Sequence, residues 1–389
     1  MESNKIFTVR FVSLFLTNMA VFFVFYGLTT ILPLYATGIL GETDDRASLL
    51  TTVFLIAAII VRPFCGKLLD IFGKKRLLVV GAIFYLLCTV LYIFVKPFAV
   101  LLMLRLLQGV SFSVVTTASG SLAADIVPAH RKGAGLGYYT MSSNLAIVLG
   151  PLVGIVLIEA TSYNVLFMVM SVFMFIGALL AASLKTSDLP KPLHVDKSLK
   201  LGDLFEKKAL PIAAVAACVA FSYASVLALL SLYAAQKDLL AESSYFYIVF
   251  AASMIIVRPL TGKVYDTMGA KFVIIPSFIC FSIGLVLLAN TNGAFLFMLA
   301  AIFIGAGYGT LTTSLQASAV QSVSRERSGY ATATYFTMFD LGLAIGSFVL
   351  AAVAVQFSYL AVYYAAAVFV LLVLCIYMVT MNKKTNTSS

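Results

Sequence analysis

The stretch Ile59-Ile60-Val61-Arg62-Pro63-Phe64-Cys65-Gly66-Lys67-Leu68-Leu69-Asp70-Ile71-Phe72-Gly73-Lys74-Lys75 returns 196 residues later as Ile255-Ile256-Val257-Arg258-Pro259-Leu260-Thr261-Gly262-Lys263-Val264-Tyr265-Asp266-Thr267-Met268-Gly269-Ala270-Lys271. Ten of the seventeen positions are identical. Matches among Leu, Val and Ile come cheaply in an apolar chain, but matched Arg, Pro, Gly and Asp do not. The register continues without a gap, aligning Gly109, Thr116, Thr117, Arg131, Gly133, Tyr139 and Gly150 with Gly305, Thr312, Thr313, Arg327, Gly329, Tyr335 and Gly346. The chain therefore reads as a duplication, with halves 1–184 and 209–389 joined by a polar connector, 185–208.

Composition decides the medium. Of 389 residues, 62% are hydrophobic and only 11% charged, with a mean hydropathy of +1.05. A soluble protein carries roughly 25% charged residues on its surface, and a larger core does not remove the need for that surface. Windows of about 20 apolar residues, the length of a spanning helix, predict twelve spans: 8–36, 46–66, 77–95, 98–124, 133–158, 163–184, 209–235, 243–262, 272–290, 294–319, 328–356 and 359–381. The first is too long for a cleaved signal peptide. The expected fold class is all-α, twelve transmembrane helices in two six-helix pseudo-symmetric halves.

Twelve spans put both termini on one side. Twenty Lys and Arg residues fall in loops on that side, against Arg46, Lys96 and Lys237 on the other. The positive-inside rule then assigns the termini to the cytoplasm. The net charge of +10 is a topology signal, and no nucleic-acid partner is expected. The connector carries Pro190, Pro192 and several lysines, and Leu199, Leu201, Leu204 and Phe205 suggest a short helix on the membrane surface. The five cysteines lie in apolar runs and the two histidines in polar loops, so neither disulfide framework nor metal site is supported. There is no G-x-x-x-x-G-K-[ST] loop for a nucleotide phosphate, nor a Ser/His/Asp arrangement for catalysis. No cofactor is expected, and the chain does not read as an enzyme.

The segment Gly66 to Arg76 resembles the signature loop G-x-x-x-D-R-x-G-R-[KR] of the major facilitator superfamily, and Gly262 to Lys271 is its second-half copy. Ile71 stands where that family usually has arginine. The resemblance implies a cytoplasmic gate built from Gly66, Asp70, Gly73, Lys74, Lys75 and Arg76, with Gly262, Asp266, Gly269 and Lys271 in the copy. An acid at the end of the fourth span, Asp125, is implied to join it. Its repeat partner is Gln321, so the latch is expected to be asymmetric. Ala146-Ile147-Val148-Leu149-Gly150-Pro151-Leu152-Val153-Gly154 is similar to the exporter-associated helix-five signature G-x-x-x-G-P-x-x-G-G. The likeness implies that Gly150, Pro151 and Gly154 bend this helix and pack it on the other half.

Arg105 and Asp340 stand out among the charged residues inside spans. Arg105, in Leu104-Arg105-Leu106-Leu107-Gln108-Gly109, resembles the family's R-x-x-Q-G motif, which implies a part in proton coupling. Within hydrocarbon an arginine costs about 2.5–3.5 kcal/mol by insertion scales, so it should face the bundle interior against a carbonyl or an acid. Asp340 is the acid at the centre of a span, the eleventh, and its repeat partner is Asn144. Low dielectric penalises a carboxylate's charged form, which makes it a candidate proton carrier or cation counter-ion. The polar set expected at the substrate cavity is Asp340, Arg105, Asn144, Asn18, Tyr26, Gln108, Tyr139 and Tyr335.

The resulting expectation resembles the twelve-helix drug:proton antiporters and related efflux permeases. It is a monomeric, proton-coupled secondary transporter that exports a small organic molecule across a bacterial plasma membrane by alternating access, with the lipid bilayer, protons and the substrate as its partners. Uptake by proton symport is the alternative on the same fold, and a non-transporting membrane sensor the alternative of another class.

Overall fold

The computed structural model describes residues 6–186, 204–239 and 242–386. Among them are twelve α-helices and no strand. They are α1 (Val9–Gly38), α2 (Asp44–Phe72), α3 (Lys74–Leu91), α4 (Phe98–Ile126), α5 (Lys132–Ala160), α6 (Tyr163–Ser183), α7 (Leu210–Gln236), α8 (Glu242–Met268), α9 (Lys271–Ala289), α10 (Ala294–Gln321), α11 (Ser328–Gln356) and α12 (Tyr359–Asn386). Single 3₁₀ turns, Ala129–Arg131 and Arg325–Arg327, precede α5 and α11. Hydrocarbon offers backbone amides no partner, so a helix that satisfies its own hydrogen bonds is the form such apolar runs adopt. Eleven helices are long and apolar enough to cross a bilayer. The exception, α3, has 18 residues and opens on Lys74-Lys75-Arg76.

The signature segments do not form the loop read from the sequence. Gly66–Asp70 occupies the last turns of α2, and Gly262–Asp266 the last turns of α8. One glycine does not break a helix, and nothing else in those stretches does. The break comes at Gly73, with φ +87° and ψ 138°, which ends α2 and starts α3 as a one-residue joint. Gly269, at φ +99°, ends α8 the same way. L-residues with a Cβ rarely adopt that backbone. Most of the connector, residues 187–203, lies outside the described residues, and with it Leu199 and Leu201 of the expected surface helix. Leu204 and Phe205 form a bend.

By contact the chain forms two compact units. The first is Met1–Ala129, Tyr139–Glu206 and Val323–Thr334; the second is His130–Tyr138, Lys207–Ser322 and Tyr335–Ser389. The first turns of α5 thus group with the second unit, and the first turns of α11 with the first. Within unit 1, α4 packs on α2 and α3, and α6 on α1 and α3; within unit 2, α10 packs on α8 and α9, and α12 on α7 and α9. Small residues set the closest approach. A Cβ on Gly109 would lie 2.3 Å from Phe54 O, and one on the equivalent Gly305 would lie 2.4 Å from Phe250 O. The α2/α4 and α8/α10 crossings are the same crossing made twice.

Candidate functional site

Arg105 is fully buried in unit 1. Its Nε donates to Leu50 O at 3.0 Å, Nη1 to Gln108 Oε1 at 3.1 Å and Nη2 to Thr29 Oγ1 at 3.2 Å. The guanidinium also lies 4.5 Å from the centroid of the Phe54 ring, whose face attracts a cation. Gln108 is spent holding it: Oε1 accepts a second bond from Tyr92 at 3.1 Å, and Nε2 donates to Thr89 at 3.2 Å. Among the described residues every partner of Arg105 is neutral, so a fixed positive charge sits among α1, α2 and α4 with no carboxylate against it.

A second cluster joins α1, α4 and α5. Asn18 Nδ2 donates to Ser142 Oγ at 2.8 Å, and its Oδ1 accepts from the Tyr139 hydroxyl at 2.8 Å. That hydroxyl is also 2.8 Å from Ser119 Oγ. Asn18 and Tyr139 thus spend their polar atoms on one another and on serines. Asn144, two residues beyond Ser142, is half-buried, and its Nδ2 has no partner among the described residues. Tyr26 is half-buried in an aromatic cluster, its ring 4.8 Å from Phe25 and 6.0 Å from Phe22.

In unit 2, Asp340 is the single charged residue of α11 and is half-buried. Its charge bears on Tyr335, as does the guanidinium of Arg258. The Tyr335 hydroxyl donates to Thr312 O at 2.5 Å, and its ring stacks on Phe339 at 6.2 Å. Arg258, in α8, is 4% exposed and binds Thr313 Oγ1 through Nη1. Of the set expected at the substrate cavity, Arg105 with Gln108 and Asn18 with Tyr139 lie in unit 1, and Asp340 with Tyr335 in unit 2.

The gate residues divide too. In unit 1, Lys74 Nζ donates to Asp125 Oδ2 at 2.6 Å and to Ser328 Oγ at 2.6 Å, while Ser328 donates to Asp125 Oδ1 at 2.8 Å. Arg325 donates to the backbone carbonyl of Asp125, and Arg327 pairs with Glu206. The Glu206 amide donates to Thr334 Oγ1 at 2.8 Å. Asp70 accepts from Tyr330, with Lys74, Arg327 and Lys67 nearby. Asp125 is 1% exposed, so these charge-assisted bonds are sheltered from screening. In unit 2, Asp266 caps α5: Oδ1 accepts from Gly133 N at 2.8 Å and Oδ2 from Ala134 N at 3.0 Å. Its neighbour Tyr265 donates to Gln321 Oε1 at 3.0 Å. Lys75, Arg76 and Lys271 have no hydrogen-bond or ion-pair partner among the described residues. Lys75 and Arg76 instead line a cleft of about 460 Å³ with Val79, Val80 and Ala182.

The helix-five glycines pack closely, but on α1 of their own unit, where the resemblance implied the other half. A Cβ on Gly150 would lie 2.8 Å from Phe23 O and 2.9 Å from Gly27 N; one on Gly154 would lie 2.9 Å from Ile31 Cγ1. The physical reason is at hand: α1 presents Gly27 at the crossing, so two backbones meet without side chains between them. Pro151 lies inside α5, which runs unbroken.

Sequence reading missed Ser328, Arg325, Glu206 and Arg258. Only Arg258 carried a signal, as a charge in an apolar run of the duplicated stretch. Among the described residues no cluster of His, Cys, Asp and Glu could hold a metal.

The family model described as Major Facilitator Superfamily matches residues 14–346 and 240–389. The chain is 28% identical over 363 residues to an uncharacterized MFS-type transporter of Methanocaldococcus jannaschii, MJ1560, covering 91% of this chain and 90% of that one. It is 30% identical over 143 residues to the quinolone resistance protein NorA of Staphylococcus aureus, a match spanning 36% of this chain and 37% of NorA. In fold it is similar to the human organic anion transporter MFSD10, with TM-score 0.78, 15% identity and coverage of 94% and 98% of the two chains. The fucose:proton symporter FucP of E. coli gives TM-score 0.75, 13% identity and coverage of 94% and 97%. With the family model matching nearly the whole chain, this multi-pass membrane protein belongs to the Major Facilitator Superfamily, whose members are transporters and not enzymes.

Proposed function

We propose that the chain is a proton-coupled exporter of a small organic molecule, working by alternating access in the cell membrane with both termini and the Gly73 and Gly269 joints on the cytoplasmic side. The observation that carries the reading is Asp340, a half-buried carboxylate midway along an otherwise uncharged helix, bearing on Tyr335. An acid in such a setting is poised to exchange a proton. A charge moved through 100 mV supplies about 2.3 kcal/mol to drive the cycle. Arg105, held among the described residues by neutral groups, supplies a fixed charge to the same coupling set.

Orientation rests on the distribution of basic loop residues. The Lys74–Asp125–Ser328 bonds support a gate at the Gly73 end, since a buried network that is either made or broken gives two discrete states. The relation to NorA, named for quinolone resistance, favours export.

Proteoliposomes containing the purified protein test this. Candidate toxic compounds and secreted metabolites are screened for cargo-dependent proton movement with a trapped pH dye. Protons should move opposite to the cargo, and Asp340→Asn should abolish proton movement while the protein still reconstitutes. Movement of both in one direction would make the protein a symporter, and normal coupling in Asp340→Asn would remove that residue from the mechanism.

A further inference from the structure

Arg258, in unit 2, is a buried charge that the described residues satisfy only in part. Its Nη1 is engaged by Thr313 Oγ1. That hydroxyl gives its own proton to backbone carbonyls, Gly309 O at 3.1 Å or Thr310 O at 3.2 Å, which leaves it an acceptor for the arginine. The other two guanidinium nitrogens, Nε and Nη2, are buried and have no acceptor among the described residues. These two form one edge of the guanidinium plane and present parallel N–H groups, the fork that matches two oxygens of one carboxylate.

A third orphan donor lies on α10. Gln316 is 2% exposed and its Nε2 has no partner among the described residues. It sits three residues beyond Thr313 on α10 and therefore on the same face of that helix. Buried donors are nearly always satisfied, and orphans call for an ordered water, an ion or a ligand. A buried unpaired cation calls for a counter-charge most of all.

The repeat partner differs. Arg62 lies 3.4 Å from Thr116 Oγ1 and 5.8 Å from the centroid of the Phe112 ring, so an aromatic face meets its charge. The residue equivalent to Phe112 is Tyr308, and its ring stacks on Tyr223 at 3.7 Å instead. The residue equivalent to Gln316 is Gly120. The anion-seeking arrangement therefore exists in one copy.

We propose that the Nε/Nη2 edge of Arg258, with the amide of Gln316, binds the carboxylate of an organic monoanion, and that this group belongs to the cargo. A monoanion balances one guanidinium, whereas a dianion would leave a buried charge over. The inference rests on the transport reading only in assigning the anion to cargo. Its test needs no gradient, so either can fail alone.

The probe is sodium benzoate, with benzamide as its neutral counterpart, titrated calorimetrically into the full-length protein in detergent. Wild type should bind benzoate at least about tenfold more tightly than benzamide, as expected of a charge-assisted bidentate pair. Arg258→Gln should reduce benzoate affinity to that of benzamide, Arg258→Lys should restore only part of it, and Gln316→Leu should weaken it severalfold. Arg258→Gln should unfold no earlier than wild type, because it removes a buried charge with no ion-pair partner among the described residues. Absence of benzoate binding by wild type, equal affinity for both probes, retained binding in Arg258→Gln, premature unfolding of that variant or an equal loss in Arg62→Gln would each overturn the proposal.

Discussion

The end of α2 and the end of α8 are built from one repeated sequence, and they are held by different chemistry. Both close on a glycine with positive φ, both place an aspartate three residues earlier, and in both units the packed partner is a helix start preceded by a 3₁₀ turn. At α8 the aspartate binds backbone amides: Asp266 caps α5 at Gly133 and Ala134, where the helix dipole also favours an anion. At α2 the equivalent Asp70 accepts from the Tyr330 side chain, and a second acid, Asp125, takes over. Asp125 draws in Lys74, Ser328 and Arg325. Its counterpart Gln321 accepts a neutral bond from Tyr265. A duplicated backbone solution thus tolerates one charged and one nearly neutral version of the same contact.

The largest break in this comparison should come from Asp125→Ala. It strands the Lys74 ammonium, 13% exposed, beside a buried site, and breaking a buried pair costs about 3–5 kcal/mol. Chemical unfolding in detergent should show that loss, against about 1–2 kcal/mol for Asp266→Ala, which removes a cap. Losses of equal size would mean that the two ends are held alike. A smaller and sharper contrast lies in two equivalent glycines. A Cβ on Gly133 would meet the Tyr265 ring at 2.3 Å and Asp266 Oδ1 at 2.8 Å, whereas one on Gly329 would find its nearest neighbour, Leu69 Cδ1, at 3.4 Å. Gly133→Ala should destabilise by about 1–3 kcal/mol through overpacking. Gly329→Ala should be neutral or stabilise by up to about 1 kcal/mol, since alanine is the better helix former. Equal melting shifts in the two variants would contradict the packing described here.

Much of this was legible in the residues. Matched Arg, Pro, Gly and Asp at one offset announced the duplication, and uninterrupted apolar runs announced each helix. Asp125 against Gln321 announced that the two equivalent contacts differ in charge. The signature segment was misread as a loop because charge and glycine at the ends of an apolar run look like a terminus, although only Gly73 takes a backbone that stops the helix. The resemblance implied basic partners such as Lys74 for Asp125, but its second partner could not be read. Ser328 lies 203 residues away, and a serine at a helix start carries no mark of the carboxylate it will meet. Lys75 and Arg76 show the converse: adjacent to Lys74 in sequence, they turn to the cleft beside Val79 while Lys74 alone reaches the acid.

The asymmetry of the two ends is tested most directly by paired double-mutant cycles, one on Lys74→Met with Asp125→Asn and one on Tyr265→Phe with Gln321→Ala. Read as unfolding free energies in the same detergent, the first pair should couple by about 2 kcal/mol or more and the second by about 0.5 kcal/mol or less. Equal coupling energies in the two cycles would contradict the account.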